Sequence, residues 1–178
     1  MASPVLILTG PPGSGKTTVA ALLAAASPRG LHIPADVFWT FPAHPVSPYR
    51  PEGHEQNADI VVGLTRAAAA LAIRGYDVVV DGILGPWFLP TIAAELRRES
   101  VGLDYVILTV PLAIALDRVR AREGDGRAHV VRKMHAELSD PKAFGRHVVD
   151  AGERAPDAIV AEITARCAAG AFAVGDRS

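Results

Sequence analysis

The sequence predicts an α/β fold in three layers, a parallel sheet of about five strands with helices on both faces. Three observations carry that expectation. The apolar run Val5-Leu6-Ile7-Leu8 leads straight into a glycine-rich loop and then into a stretch rich in alanine and leucine. Further short apolar runs alternate with stretches of helical pattern along the rest of the chain. The length, 178 residues, suits one domain and is enough to bury a core on both faces of a sheet.

Pro4 and Gly10 bound the first apolar run, which reads as a strand covered on both sides. Residues 17–26 contain no breaker before Pro28 and read as a helix starting under the glycine loop. Leu31-His32-Ile33 gives a second short strand that ends at Pro34-Ala35-Asp36. The proline-rich residues 42–51 exclude regular helix and central strand, so they form a loop. Helical patterning over 55–74 stops at Gly75, and Val78-Val79-Val80 is a third strand ending in Asp81-Gly82.

A loop with Pro86-Trp87 comes next, then a helix over 87–98, a fourth strand over 105–109 and a helix over 112–122 whose end is heavily charged. Glycines mark 123–127 as a flexible stretch. A helix over 130–138, a fifth strand His147-Val148-Val149 and a helix over 156–169 with proline in its first turn complete the chain. No internal repeat stands out.

The formal net charge is −1, so no global basic field points to nucleic acid or an anionic membrane as the partner. No run approaches the roughly 18 apolar residues of a membrane span, and the first strand is too short for the apolar region of a signal peptide. Cys167 is the single cysteine, which excludes an intrachain disulfide and a cysteine-rich zinc site and is read as a core thiol. These features together predict a cytoplasmic protein, as monomer or homodimer. His32, His44, His129, His135 and His147 show no metal-ligand spacing.

The chemistry concentrates in Gly10-Pro11-Pro12-Gly13-Ser14-Gly15-Lys16-Thr17, a complete G-x-x-x-x-G-K-[ST] phosphate loop, the Walker A motif. Such a match arises by chance in a chain this long well under about once in a hundred sequences. The glycines open backbone conformations closed to other residues, so successive amides and the helix N-terminus turn toward phosphate oxygens. Lys16 is expected to bridge the β- and γ-phosphates of ATP, Thr17 to offer its hydroxyl to Mg²⁺, and Thr18 to follow in the same nucleotide site.

Asp81 ends the third strand at the carboxyl edge of the sheet and suits magnesium, through water; a turn or cap role with Gly82 is the other reading. Asp36 opens on the same edge after the second strand, as a base or orienting group for an acceptor hydroxyl, or as a helix cap. Arg118, Arg120, Arg122 and Arg127 crowd a segment, 118–132, that reads either as a lid over the phosphates or as a solvated, self-paired helix. In the lid reading Arg118 and Arg122, one turn apart, bind nucleotide, while Arg120 and Arg127 meet the transferred phosphoryl group.

An acceptor region over 36–57 is expected from His54, Gln56 and Asn57, with Trp39 and Phe41 before them and Trp87 beyond Asp81. The alternative is that the tryptophans are core and the polar trio caps a helix. Residues 149–154 leave the fifth strand at the same edge and offer backbone for an adenine ring.

With the loop, Asp36, Asp81 and the arginine segment in this order, the chain resembles the nucleoside-monophosphate-kinase-like group of P-loop kinases, among them shikimate kinase, gluconate kinase and chloramphenicol phosphotransferase. The resemblance implies a P-loop NTPase fold with strand order 2-3-1-4-5, an acceptor-holding role for Asp36 and a phosphate contact for Arg120 or its neighbours. Gly53-His54-Glu55-Gln56-Asn57 and the stretch from Val80-Asp81-Gly82 to Trp87-Phe88-Leu89 also look like bacterial AAA-family proteins described as ATP-binding kinases. Gly82 and Gly85 are separated by Ile83 and Leu84, unlike the paired glycines of shikimate kinase.

The function expected is ATP- and Mg-dependent phosphoryl transfer to a hydroxyl or phosphate of a small molecule. Two alternatives are a nucleoside monophosphate kinase of cytidylate type, for which Arg50, Arg66 and Arg132 are candidate cations, and a nucleotide-dependent regulatory ATPase.

Overall fold

A computed structural model describes residues 2–138 and 145–175. Five strands, β1 (Val5–Thr9), β2 (Gly30–Pro34), β3 (Asp77–Asp81), β4 (Leu103–Thr109) and β5 (Val148–Asp150), form one sheet in the order β2-β3-β1-β4-β5. All four pairings are parallel, with Leu8 and Pro34 both in register with Asp81, and Thr109 with Asp150. The expected strand order is therefore present, and the carboxyl ends of all five strands meet at one edge.

Parallel strands need helical crossovers, which here are α1 (Lys16–Ala25), α2 (His54–Ile73), α3 (Leu89–Arg98), α4 (Leu112–Glu123) and α5 (Ala128–Leu138), with α6 (Pro156–Ala168) at the end. Alternation along the strands divides the core. Ile7, Val80 and Ile107 pack under α2 and α3, whereas Leu8, Val106 and Leu108 pack under α1, α4 and α6. Val130 and Met134 of α5 join the first cluster and Val131 the second. After α6 the chain returns to the sheet, with an antiparallel bridge from Asp104 to Ala173.

Differences from the expected boundaries are small and have local causes. The stretch after Asp36 is a 3₁₀ helix, Ala35–Thr40, too short of hydrogen-bonded turns to propagate. Trp87 belongs to a 3₁₀ turn, Pro86–Phe88, with α3 starting two residues later. The stretch expected to be flexible contains a further 3₁₀ turn, Asp125–Arg127, and α5 starts directly after it. Cys167 is half-buried on α6 and packs against the second cluster. No helix among the described residues is long and apolar enough to cross a membrane.

Candidate active site

The phosphate loop runs from β1 to α1 with Gly10, Gly13 and Gly15 at φ +152°, +84° and +92°. Close packing adds to the conformational demand. A Cβ on Gly10 would stand 2.1 Å from the Leu108 carbonyl oxygen, and one on Gly13 would stand 2.5 Å from that of Ala115. Inside the loop the Lys16 ammonium donates to the Pro11 carbonyl at 3.0 Å, and Arg118 reaches from α4 to donate to the Gly13 carbonyl at 3.2 Å. Ser14 Oγ is buried with no hydrogen-bond partner among the described residues. A hydroxyl left so is an open donor inside a ring of glycines, which fits an anionic ligand at the loop.

Thr17, at the start of α1, donates from Oγ1 to Asp81 Oδ2 at 2.8 Å. Asp81 is buried at the end of β3, and its other oxygen, Oδ1, lies 2.5 Å from His32 Nε2 on β2. His32 was missed by sequence reasoning, since inside an apolar strand it showed no motif; only the pairing of β2 with β3 brings it to Asp81. Among the described residues no group of three His, Cys, Asp or Glu side chains forms a metal cage. One hydroxyl and one carboxylate side by side nevertheless match Mg²⁺, which takes few protein ligands when phosphates supply the rest.

Asp36 opens the 3₁₀ helix after β2 and is held near Asp81 by Gly82, whose Cβ would stand 2.7 Å from that of Ala35. Burial raises the Asp36 carboxyl above the usual carboxylate range, against the opposing pull of the Lys16 charge. Burial likewise lowers Lys16, to about 8, although Asp81 and Asp36 both favour its charge. The carboxylates and the ammonium thus face one another across a single cavity.

That cavity has a volume of about 430 Å³ and is lined by the loop from Pro12 to Thr18, by Asp36 and Asp81, and by Arg118, Arg122 and Arg127. Ala151 and Gly152, from the stretch after β5, also line it. Arg120 is not brought there. It pairs with Asp125 at 2.6 Å and faces a small hollow beside Arg132, because it lies on the opposite side of α4 from Arg118 and Arg122. Arg127 donates to Glu123 at 2.8 Å and to the Tyr49 hydroxyl at 3.1 Å. Hydrogen bonds from Arg127 and Arg122 hold the Glu123 carboxyl below its usual range.

A second chamber, about 690 Å³, lies on the other side of Asp36. Its walls include Trp39, Tyr49, His54, Asn57, Trp87 and Met134. The three polar residues singled out from the sequence differ in their placement. His54 is exposed to the chamber at the start of α2. Asn57 is buried, accepting from Trp39 Nε1 at 2.7 Å and donating to the Pro48 carbonyl at 2.9 Å. Gln56 is outside the lining and accepts from the Val46 amide at 2.9 Å, so it braces the 42–51 loop. Tyr49 and Lys133 were not anticipated, because a proline-rich loop has no period from which to read side-chain direction, and residues 130–138 read only as a helix. Of the other cations considered, Arg50 lines this chamber and Arg66 is paired with Glu95 at 2.7 Å.

Residues 6–138, most of the chain, match the family model described as AAA domain. The chain belongs to that family. Solved structures share the fold over nearly the whole length. A sugar kinase from Janibacter sp. HTCC2649 superposes with a TM-score of 0.70 at 19% identity, covering 97% of this chain and 99% of that one. A gluconokinase from Sinorhizobium meliloti 1021 gives 0.66 at 19% identity, covering 94% and 93%. The Mycobacterium tuberculosis APS kinase CysC, in complex with AMPPNP and APS, gives 0.70 at 17% identity, covering 94% and 98%. The AAA-domain chain thus has the P-loop kinase fold that the resemblance implied. Among curated proteins, none matches the sequence.

Proposed function

We propose that the protein is an ATP- and Mg-dependent phosphotransferase, moving the γ-phosphoryl group to a hydroxyl or phosphate oxygen of a small molecule in the second chamber. The observation that carries this reading is a shared wall: Asp36, Tyr49, Ile83 and Arg127 line both cavities. A donor on one side of that wall and an acceptor on the other meet at Asp36. Phosphoryl transfer depends mainly on such positioning and on charge stabilisation. The similarity in fold to kinases of small molecules supports the reading.

The loop amides, the Ser14 hydroxyl and Lys16 hold the phosphates, while Ala151 and Gly152 border the base. Mg²⁺, held by Thr17 and through water by Asp81, would neutralise charge on the β- and γ-phosphates. Asp36 accepts the hydroxyl proton as the acceptor oxygen bonds to the γ-phosphorus. The bond from that phosphorus to the bridging oxygen breaks, ADP keeps its electron pair, and the proton passes on to solvent. Arg118, Arg122 and Arg127 supply positive charge around the moving group.

A nucleoside monophosphate kinase is the second reading. Arg50 and Lys133 line the chamber and have no ion-pair partner among the described residues, which is the observation in its favour.

ADP formation from Mg-ATP against nucleoside monophosphates, sugar acids, aminoglycosides and phenicols, with a control lacking acceptor, tests both. Stimulation by one class establishes transfer. A steady rate that no acceptor changes would instead favour a regulatory ATPase. Asp36→Asn with unchanged turnover would remove the mechanism.

A further inference from the structure

The second chamber is short of polar groups that an acceptor could use. Its walls present the rings of Trp39, Tyr49, Trp87 and Phe88 with Met134. The polar tips of two of these rings are committed already, Trp39 Nε1 to Asn57 and the Tyr49 hydroxyl to Arg127. Asn57 spends its own amide on the Pro48 carbonyl. What remains toward the interior is mostly ring surface, with the Asp36 carboxylate, the His54 imidazole and the Tyr49 O–H, still free to donate, as its few polar groups.

Exposure is distributed in the same way. Of the large hydrophobic side chains that stand in water, Val37, Phe41, Val46, Tyr49 and Trp87 belong to the loops around this chamber, and Ile73 alone lies elsewhere among the described residues. Trp87 keeps 48% of its surface open, yet it is not loose. Its indole lies over the backbone of Gly85, where a Cβ would meet ring carbons at 2.3–2.4 Å. One face of the indole is seated on glycine, and the rest is presented as an apolar wall that gains by being covered.

We infer that the acceptor is an alcohol carried on a flat unsaturated ring, seated among Trp39, Tyr49 and Trp87 with its hydroxyl at Asp36, and not a polyhydroxylated sugar acid. This rests on the reading of the chamber as the acceptor site. A sugar acid would bring several hydroxyls to walls that offer few partners, and each hydroxyl stripped of water without a new hydrogen bond weakens binding. A ring puts flat apolar surface against these walls in place of part of that hydroxyl surface, and it covers the exposed indole. Arg50, Lys133 and Glu137 are all exposed, where water and salt screen their charges, so they tolerate polar substituents on the ring without requiring an anion. Nucleosides and aryl alkanediols share this chemistry.

The sequence contains two tryptophans, and both line the chamber, so intrinsic emission reports on it directly. The protein with Mg-AMPPNP is titrated with cytidine, 1-phenyl-1,2-ethanediol, gluconate and CMP, and ADP formation from Mg-ATP is measured with the same four. A ring alcohol is expected to shift the emission and bind at least about tenfold more tightly than gluconate, with the better of the two identifying its source. Trp87→Ala weakens that binding about tenfold. Gly85→Ala does the same by displacing the indole, at a backbone φ of −65° that alanine accepts, and leaves nucleotide affinity unchanged. Tighter binding of gluconate, or no emission change with either ring alcohol, overturns the inference. CMP bound tenfold more tightly than cytidine overturns it in favour of an acceptor phosphate. If a ring alcohol binds as expected but forms no ADP, the chamber chemistry stands and the phosphotransferase reading fails; if only gluconate forms ADP, the reverse holds.

Discussion

Lys16 sits where burial disfavours its charge, and that gives nucleotide binding a pH dependence. Its ammonium loses the proton near pH 8 in the free protein, whereas bound phosphates favour the charged form and raise that value. Binding therefore takes up a proton above pH 8 and is weakened as pH rises. Calorimetric titration with Mg-AMPPNP is expected to give constant affinity from about pH 6.5 to 7.5 and then a fall approaching tenfold per pH unit, with proton uptake visible as a dependence on buffer ionisation heat. Lys16→Ala removes the pH dependence along with most of the affinity. Asp36 works in the opposite direction. Burial raises its carboxyl, so the ionised form that accepts a proton is lost at a higher pH than for an ordinary aspartate, and turnover falls as pH is lowered through that range. Asp36→Asn is expected to lower kcat by about 10²-fold or more and flatten this acid limb, with KM for ATP little changed. The placement of the Walker A residues was legible from sequence because strand, loop and helix follow one another there in a fixed spacing, and the placement of Asp36 because it directly follows the second strand. His32 was hidden, since its contact with Asp81 crosses between strands 49 residues apart.

At the scale of elements, α4 and the turn after it decide which arginines line the phosphate-loop cavity. Arg118 and Arg122 share a face of α4 with the cavity, and Arg127 comes round to it in the 3₁₀ turn, tied to Glu123 and Tyr49. Arg120 points away to Asp125. Arg127→Ala is accordingly expected to reduce kcat by about 10²–10³-fold, whereas Arg120→Ala stays within about twofold, both measured by ADP release at saturating ATP. The reverse ranking would mean that the segment turns when nucleotide binds. The opposition of Arg120 to Arg118 and Arg122 follows from helical spacing alone, so that much was available in the sequence. The pairing of Arg127 with a tyrosine 78 residues away was not, because the 42–51 loop is placed by its bonds to Gln56 and Asn57 rather than by any periodicity. The sheet was legible for the converse reason: buried parallel strands are short, apolar and sharply bounded, and each expected strand lies within two residues of the observed one.

Over the whole molecule the net charge is −1, yet the phosphate-loop cavity gathers Lys16, Arg118, Arg122, Arg127 and Arg154 against Asp36, Asp81 and Glu123. Lys16 is buried there and the four arginines stand exposed around it, so an anion entering the cavity meets a local concentration of positive charge that favours the liganded state. The consequence is measurable as heat stability. Mg-ATP at about a thousand times its Kd adds about 4 kcal/mol, which for a chain of this size raises Tm by about 8–16 °C. Lys16 separates the two contributions. A lysine whose pKa is lowered from 10.5 to about 8 by folding destabilises the free fold below pH 8, and this cost fades as pH rises from about 8 to 10.5, where the folded form alone has lost its proton. Lys16→Ala should therefore leave the Tm of the free protein at pH 7 equal or higher, despite losing the hydrogen bond to Pro11, and abolish the shift with Mg-ATP. A free protein that melts several degrees lower with alanine at position 16 would show that the lysine holds the loop together instead of waiting for phosphate.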